Sequence, residues 1–166
     1  ITVPSQDMVL GLYYITKPRP GAKGEGMIFY GAEEAIIAHN EGRVSLHAKV
    51  SVRLPKNPKD LSEGYYIKED TTVGRIIFNQ VVPEEVGYIN TVLTKKSLRD
   101  IIGNVIKVCG VARTAQFLDD IKSIGYTMAF KGGLSFNLAD VIVPQEKSPA
   151  AQSQNDPSTE NPKKEN

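Results

Sequence analysis

The segment from Ser45 to Leu54 alternates between apolar and polar residues at nearly every position. Its apolar residues are Leu46, Ala48, Val50, Val52 and Leu54, and its polar residues are His47, Lys49, Ser51 and Arg53. Because successive side chains of a strand point to opposite faces, this pattern predicts a β-strand with one buried face. The other face is predicted to be basic and to present His47, Lys49 and Arg53 to solvent or to a partner.

Helical patterns occur on both sides of this strand. Near the start, Ser5 can cap a helix that the ring of Pro18 would end. A later stretch of helical period reaches Gly110, where a left-handed cap is expected. A further helix is predicted to begin at Thr114 as its cap and to end at Gly125.

Other segments favour short elements. Residues 27–30, 65–67 and 73–82 are rich in residues that prefer strands, and residues 32–39 favour a short helix. The predicted fold class is therefore α+β, with small mixed or antiparallel β elements followed by two or more helices.

Composition limits the classes of function. The formal net charge of +1 excludes a generic polyanion binder that relies on bulk charge. The single cysteine, Cys109, excludes an intramolecular disulfide and favours a reducing, cytoplasmic location. No apolar run approaches the roughly 20 residues needed to cross a bilayer, so no membrane contact is expected.

The composition changes near Pro144. Residues 147–166 are polar and proline-rich, and such a stretch cannot offset the entropy of ordering itself. We therefore predict a folded domain over residues 1–146 and a disordered tail over residues 147–166. The chain starts at Ile1 instead of Met, which suggests a processed or excised segment.

No constellation of residues indicates catalysis by the chain alone. The candidate general bases are His39 and His47, and neither lies beside a nucleophile motif. The carboxylates come mostly as adjacent pairs whose side chains diverge, which is poor geometry for a metal site. We predict no catalytic residues and no metal ligands, and a small hydrolase that depends on the two histidines stays as an alternative.

One segment is more specific than any spacing pattern. Residues 3–14, Val-Pro-Ser-Gln-Asp-Met-Val-Leu-Gly-Leu-Tyr-Tyr, resemble the start of the pore region of the largest subunit, β′, of bacterial RNA polymerase. Further blocks resemble the same family in the same order: residues 23–27 (Lys-Gly-Glu-Gly-Met), 46–50 (Leu-His-Ala-Lys-Val) and 71–75 (Thr-Thr-Val-Gly-Arg). The resemblance continues to about residue 146.

The resemblance implies a role in DNA-directed RNA synthesis, the transfer of a nucleotidyl group from an NTP to the RNA 3′ end. In that family Mg²⁺ is held by an Asn-Ala-Asp-Phe-Asp-Gly-Asp motif that this sequence lacks, so the segment itself is expected to bind no cofactor and to be inert alone. The implied partners are the β, α and ω subunits, the rest of β′, template DNA, RNA and NTPs.

The family resemblance also suggests roles for individual residues. The segment would line the secondary channel beside the active centre, with Gln6, Asp7 and Arg75 nearest to that centre. The alternative for Gln6 and Asp7 is that both only fix the start of the helix. Arg75 could hold a phosphate or could brace a neighbouring segment through a carboxylate, and we favour bracing. His47, Lys49 and Arg53 would form an interface with another polymerase element. The alternative is a free-standing adaptor module derived from the polymerase, without catalysis.

Overall fold

The computed structural model describes residues 5–131 of the chain, and the side chains of residues 5–125. The described elements follow in the order α1 (Gln6–Thr16), β1 (Ile28–Phe29), α2 (Ala32–Asn40), β2 (Lys49–Pro55), β3 (Tyr65–Thr72), α3 (Val73–Asn79) and α4 (Lys95–Lys131). A single turn of 3₁₀-helix, Leu61–Glu63, lies between β2 and β3. The α+β class is confirmed, whereas the predicted tail, residues 147–166, lies outside the described residues.

The sheet has three strands in the order β1-β2-β3. Strand β1 pairs parallel to β2, and β2 pairs antiparallel to β3 with Arg53 opposite Ile67. The predicted alternation is confirmed from Lys49 onward, since Val50 and Val52 are buried. The preceding residues, 45–48, form a turn instead of strand, although Leu46 and Ala48 are still buried.

Helix α1 begins and ends where the sequence predicts. The Ser5 hydroxyl accepts a hydrogen bond from the amide of Met8 at 3.4 Å, as an N-cap does. Lys17 is already extended, as expected for a residue before proline. The buried face of α1 packs on α4, where a Cβ added to Gly11 would collide with the main-chain oxygen of Gly125. The two helices therefore lie in close contact.

Residues 73–79 form a helix, and the prediction of a strand over residues 73–82 is wrong. One local and one tertiary feature explain the difference. The Thr72 hydroxyl caps the helix by accepting from the amide of Arg75 at 3.2 Å. Gly74 lies against the main-chain oxygen of Ile15, a contact that a residue with a side chain would block. The β-branched residues of this segment are buried on all sides, so periodicity does not distinguish the two structures.

The break in α4 is at the predicted glycine, but the second half differs from the prediction. Gly110 has φ 83° and ψ 177° and separates residues 95–109 from residues 111–131. Thr114 is not a cap: it lies inside the helix, and its hydroxyl donates to the oxygen of Gly110 at 2.7 Å. Gly125 does not end the helix, which continues to Lys131, and its lack of a side chain allows the close approach of α1.

The core joins the helices and the inner face of the sheet. Phe78 of α3 and Phe117 of α4 pack edge to face with ring centroids 6.3 Å apart. Within the described residues, Lys95–Gly125 of α4 is long and apolar enough to cross a membrane by length and composition. This is weak evidence, since core helices of soluble proteins meet the same criteria. The expectation of no membrane contact stays a prediction.

Candidate functional site

The N-terminal end of α1 exposes both residues that the resemblance singles out. Gln6 and Asp7 are exposed, and their side chains make no hydrogen bond to another described residue. The helix start is capped by Ser5, so neither side chain is needed as the cap. Both side chains are therefore available for contacts with groups beyond the described residues.

Arg75 belongs to α3 and contacts the opposite, C-terminal end of α1. Its Nε donates to the main-chain oxygen of Thr16 at 3.0 Å, and its Nη1 donates to the side-chain oxygen of Asn90 at 3.1 Å. The side chain is 8% exposed, and burial lowers the pKa of its guanidinium. The group still stays charged, since arginine ionises far above neutral pH. Arg75 thus braces two segments, as favoured from the sequence. Its acceptors are the carbonyl of Thr16 and the side-chain amide of Asn90, whereas the sequence suggested a carboxylate.

The two ends of α1 are well separated. A rise of 1.5 Å per residue places Gln6 roughly 15 Å from Thr16 along the helix axis. Arg75 therefore does not share a ligand-sized site with Gln6 and Asp7, and its contact with α1 is at the far end of the helix. In the structure Gln6 is next to Asp7, and Arg75 is bonded to Asn90. The first pair does not lie near the second.

Thr16 and Asn79 complete the bracing network. The Thr16 hydroxyl donates to the oxygen of Leu12 at 2.8 Å and accepts from the amide of Leu93 at 2.9 Å. Asn79 accepts from the amide of Ile89 at 2.8 Å and donates to the oxygens of Arg75 and Ile89, both at 2.7 Å. These bonds fix residues 89–93 against α1 and α3. Sequence reasoning assigned no role to Thr16, because a buried threonine at a helix end gives no signal of its distant partner.

Tyr88 lies beside this network. Its hydroxyl and that of Thr71 are 2.7 Å apart, and burial raises the pKa of Tyr88 to about 12. The phenol is therefore neutral at physiological pH, and it contributes a hydrogen bond but no charge. Tyr88 also lines a cavity of about 240 Å³ between β2 and residues 82–88.

The predicted basic face is wrong at His47. The residue is 6% exposed, its Nδ1 is 2.8 Å from the main-chain oxygen of Lys17, and the ring packs edge-on against Tyr14 at 4.6 Å. Burial lowers the pKa of the imidazole, with further lowering from Arg19. His47 precedes the start of β2, so the alternation does not govern its direction.

Lys49 and Arg53 do lie on the outer side of the sheet. Lys49 is exposed, whereas Arg53 is half-buried between two aromatic rings. Its guanidinium carbon is 3.7 Å from the ring centroid of Tyr30 and 4.0 Å from that of Tyr65. The tyrosines are a part of the site that sequence reasoning missed, since residues of three segments meet there only in the folded chain.

Neither histidine belongs to a nucleophile-base pair among the described residues. The Nδ1 atom of His39 is 3.1 Å from the main-chain oxygen of Val44, and the Nδ1 atom of His47 is 2.8 Å from the main-chain oxygen of Lys17. Over residues 5–125 no group of three or more His, Cys, Asp or Glu side chains could hold a metal ion. This arrangement gives no support to the hydrolase alternative.

Comparison with known proteins identifies the family. The model of the family "RNA polymerase Rpb1, domain 3" matches residues 1–141. The chain belongs to this family.

Curated relatives of this Rpb1 domain 3 chain are named DNA-directed RNA polymerase subunit beta'. The relative from Bacteroides fragilis is 65% identical over 155 residues, which cover 92% of this chain and 11% of the relative. Relatives from Bacteroides thetaiotaomicron and Flavobacterium psychrophilum are 63% and 55% identical, with coverage of 92% and 89% of this chain. The Rpb1 domain 3 chain thus spans about a tenth of the length of these relatives.

Proposed function

We propose that this chain is the part of a bacterial RNA polymerase β′ subunit that lines the secondary channel next to the active centre. It supports nucleotidyl transfer from NTP to the RNA 3′ end only within the assembled cytoplasmic enzyme, together with β, α, ω, the rest of β′, template DNA and RNA. The observation that carries the proposal is the family match over residues 1–141, joined to 55–65% identity with proteins named for that subunit.

In this proposal α1 is the element that faces the substrates. The Gln6 amide can donate to phosphate or ribose oxygens, and the Asp7 carboxylate can accept from them or from another chain. Both are exposed and without a partner among the described residues. Arg75 is a positioning residue, since it holds the far end of the same helix.

Mg²⁺ does not fit the residues described here. Its chemistry requires several oxygen ligands that converge on one point, and no such acidic cluster occurs in residues 5–125. In this proposal no step of the reaction depends on a metal ion held by this segment. The contribution of the chain is a rigid wall, in which close packing of α1 on α4 and the Arg75 network keep Gln6 and Asp7 in place.

The proposal is tested in the assembled polymerase that contains this segment. Gln6→Ala should raise the KM for NTPs by about fivefold, as expected for the loss of one hydrogen bond. Asp7→Asn should change the rate of RNA elongation measured in the same assay. The matched controls are Asn104→Ala and Asp100→Asn, exposed residues of α4, which should leave elongation unchanged.

The isolated chain provides the second arm of the test. It should incorporate no labelled nucleotide into RNA, whereas the assembled enzyme should. RNA synthesis by the isolated chain would overturn the proposal, and so would wild-type kinetics for both Gln6→Ala and Asp7→Asn. Detection in cells of a free-standing protein of this size would favour the adaptor alternative, which docks on a transcription factor or on the polymerase.

A further inference from the structure

The outer face of the sheet carries a cluster of exposed apolar residues around one arginine. We name it the Arg53 face, and it consists of Ile28, Tyr30, Arg53, Tyr65 and Ile67. Ile28 and Tyr30 are 70% and 69% exposed, and Ile67 and Tyr65 are 49% and 40% exposed. Contiguous exposed apolar side chains of this size mark interaction surfaces more often than plain solvent-facing surface.

The sheet register places these residues side by side. Arg53 on β2 is directly opposite Ile67 on β3, and Ile28 on β1 is opposite Ser51, two residues before Arg53 on the same face. Tyr30 and Tyr65 flank the guanidinium at 3.7 and 4.0 Å. The face therefore combines an apolar rim with a central cation.

The Arg53 guanidinium is held in place, but it has no carboxylate partner within the described residues. Its Nε donates to the main-chain oxygen of Tyr30 at 2.9 Å, which together with the two rings fixes its direction. Within residues 5–125 no hydrogen bond engages Nη1 or Nη2, and none of the ion pairs includes Arg53 or Lys49. Glu69, two residues beyond Ile67, makes no ion pair with Arg53 either. The two terminal nitrogens present the geometry that a carboxylate binds bidentately.

We propose that the Arg53 face binds a protein segment that carries an Asp or Glu carboxylate flanked by apolar side chains. The carboxylate pairs with the terminal nitrogens of Arg53, and the apolar neighbours cover Ile28 and Ile67. An immobilised guanidinium loses little conformational entropy on pairing, so the contact favours binding and fixes its register. The inference rests on the proposed function only for its setting, the assembled polymerase.

A nucleic acid fits this face less well. Bases bind by stacking on free aromatic faces, but Arg53 occupies one face of Tyr30 and one of Tyr65. The remaining large side chains are isoleucines, which offer no stacking platform. Of the basic residues of β2, only Lys49 would be left for phosphate contacts.

The test is photocrosslinking in living cells that express the full-length subunit containing this segment. The photoreactive residue p-benzoyl-phenylalanine replaces Ile67 in one variant and the exposed Val111 of α4 in a control variant. Mass spectrometry then locates the crosslinked peptide. We expect the Ile67 variant to crosslink to a protein segment with an acidic residue among apolar ones.

Charge exchange makes the test specific. Arg53→Glu should lower the Ile67 crosslink yield by about tenfold, as loss of one charged pair in an interface does. Arg53→Lys should lower it less, and the Val111 crosslinks should not change with either substitution. Replacing the carboxylate of the captured segment by arginine should restore the yield in the Arg53→Glu background, which excludes misfolding as the cause.

The other outcomes overturn the inference. These are a crosslink to RNA or DNA, a crosslink to the same face of a second copy, capture of a segment without a carboxylate, and a yield that Arg53→Glu leaves unchanged. If the Arg53-dependent crosslink is found while Gln6→Ala and Asp7→Asn both leave elongation unchanged, the inference stands and the proposed function fails. If the subunit assembles into active polymerase without an Arg53-dependent crosslink, only the inference fails.

Discussion

Arg75 in α3 donates from Nε to the main-chain oxygen of Thr16 over 3.0 Å, although the two residues are 59 positions apart in the chain. The same guanidinium reaches Asn90 through Nη1 at 3.1 Å. One side chain therefore ties the end of α1 and the segment before α4 to α3. A buried cation in such a position stabilises the fold through hydrogen bonds to oriented dipoles.

Replacement of Arg75 should cost stability, because its acceptors would be left buried without a donor. We expect Arg75→Ala to lower the free energy of unfolding by about 3 kcal/mol, and Arg75→Lys by about half as much since lysine can satisfy one acceptor. Urea unfolding followed by circular dichroism measures both. Arg99→Ala, an exposed arginine of α4, is the control and should change the value by less than about 0.5 kcal/mol. Equal effects at Arg75 and Arg99 would contradict the bracing role.

Gly74 should tolerate no side chain, because a Cβ at this position would collide with the main-chain oxygen of Ile15. We expect Gly74→Ala to lower the free energy of unfolding by about 3 kcal/mol, as severe overpacking does. Gly103→Ala provides a matched comparison, since nothing lies within 4 Å of its Cβ and it sits inside α4. That substitution should stabilise the chain by about 0.5–1 kcal/mol. Thermal melting of the two variants should shift in opposite directions, and a shift in the same direction would refute the packing argument.

Tyr88 should make the chain sensitive to alkaline pH. Its pKa is raised from 10.0 to about 12 by burial, so the folded state holds the phenol proton more tightly than the unfolded chain. Below pH 10 the protonated phenol makes its full contribution to the free energy of unfolding. This contribution, roughly 2 kcal/mol, is lost as the pH rises toward about 12. Urea unfolding over this range measures it. Tyr88→Phe should lose this part of the decline, and Tyr65→Phe should keep it. An unchanged decline in Tyr88→Phe would show that other groups cause it.

His47 should make the chain sensitive to acid. Burial lowers its pKa below 6.5, so the unfolded chain takes up a proton before the folded state does. The part of the free energy of unfolding that depends on His47 is therefore complete above pH 6.5, and it is lost as the pH drops from 6.5 through the lowered pKa. His47→Gln should flatten this slope, whereas His39→Gln should keep the part that His47 contributes. The measurement is urea unfolding at a series of acidic pH values, and identical slopes for wild type and His47→Gln would exclude the mechanism.

Local signals predicted most element types. The Ser5 cap and the following proline define α1, the alternation around Val50 and Val52 defines β2, and Gly110 breaks α4. These features depend on neighbours within a few residues, so they are visible in the sequence. The ordered blocks also predicted the family, which the match over residues 1–141 confirms.

The candidate sites needed the folded chain. Three features depend on contacts between distant segments. They are the hydrogen bond from Arg75 to Thr16, the position of Arg53 between Tyr30 and Tyr65, and the burial of His47 beside Tyr14. No local pattern encodes these partners, because a side chain of a given type can be exposed or buried at the same spacing. The helix at residues 73–79 has the same origin, since apolar residues buried on every side carry no period. Sequence alone therefore determined the class, the family, the Ser5 cap and the break at Gly110. Tertiary packing decided which polar groups are engaged and which are open to a partner, because burial and long-range hydrogen bonds exist only once the segments meet.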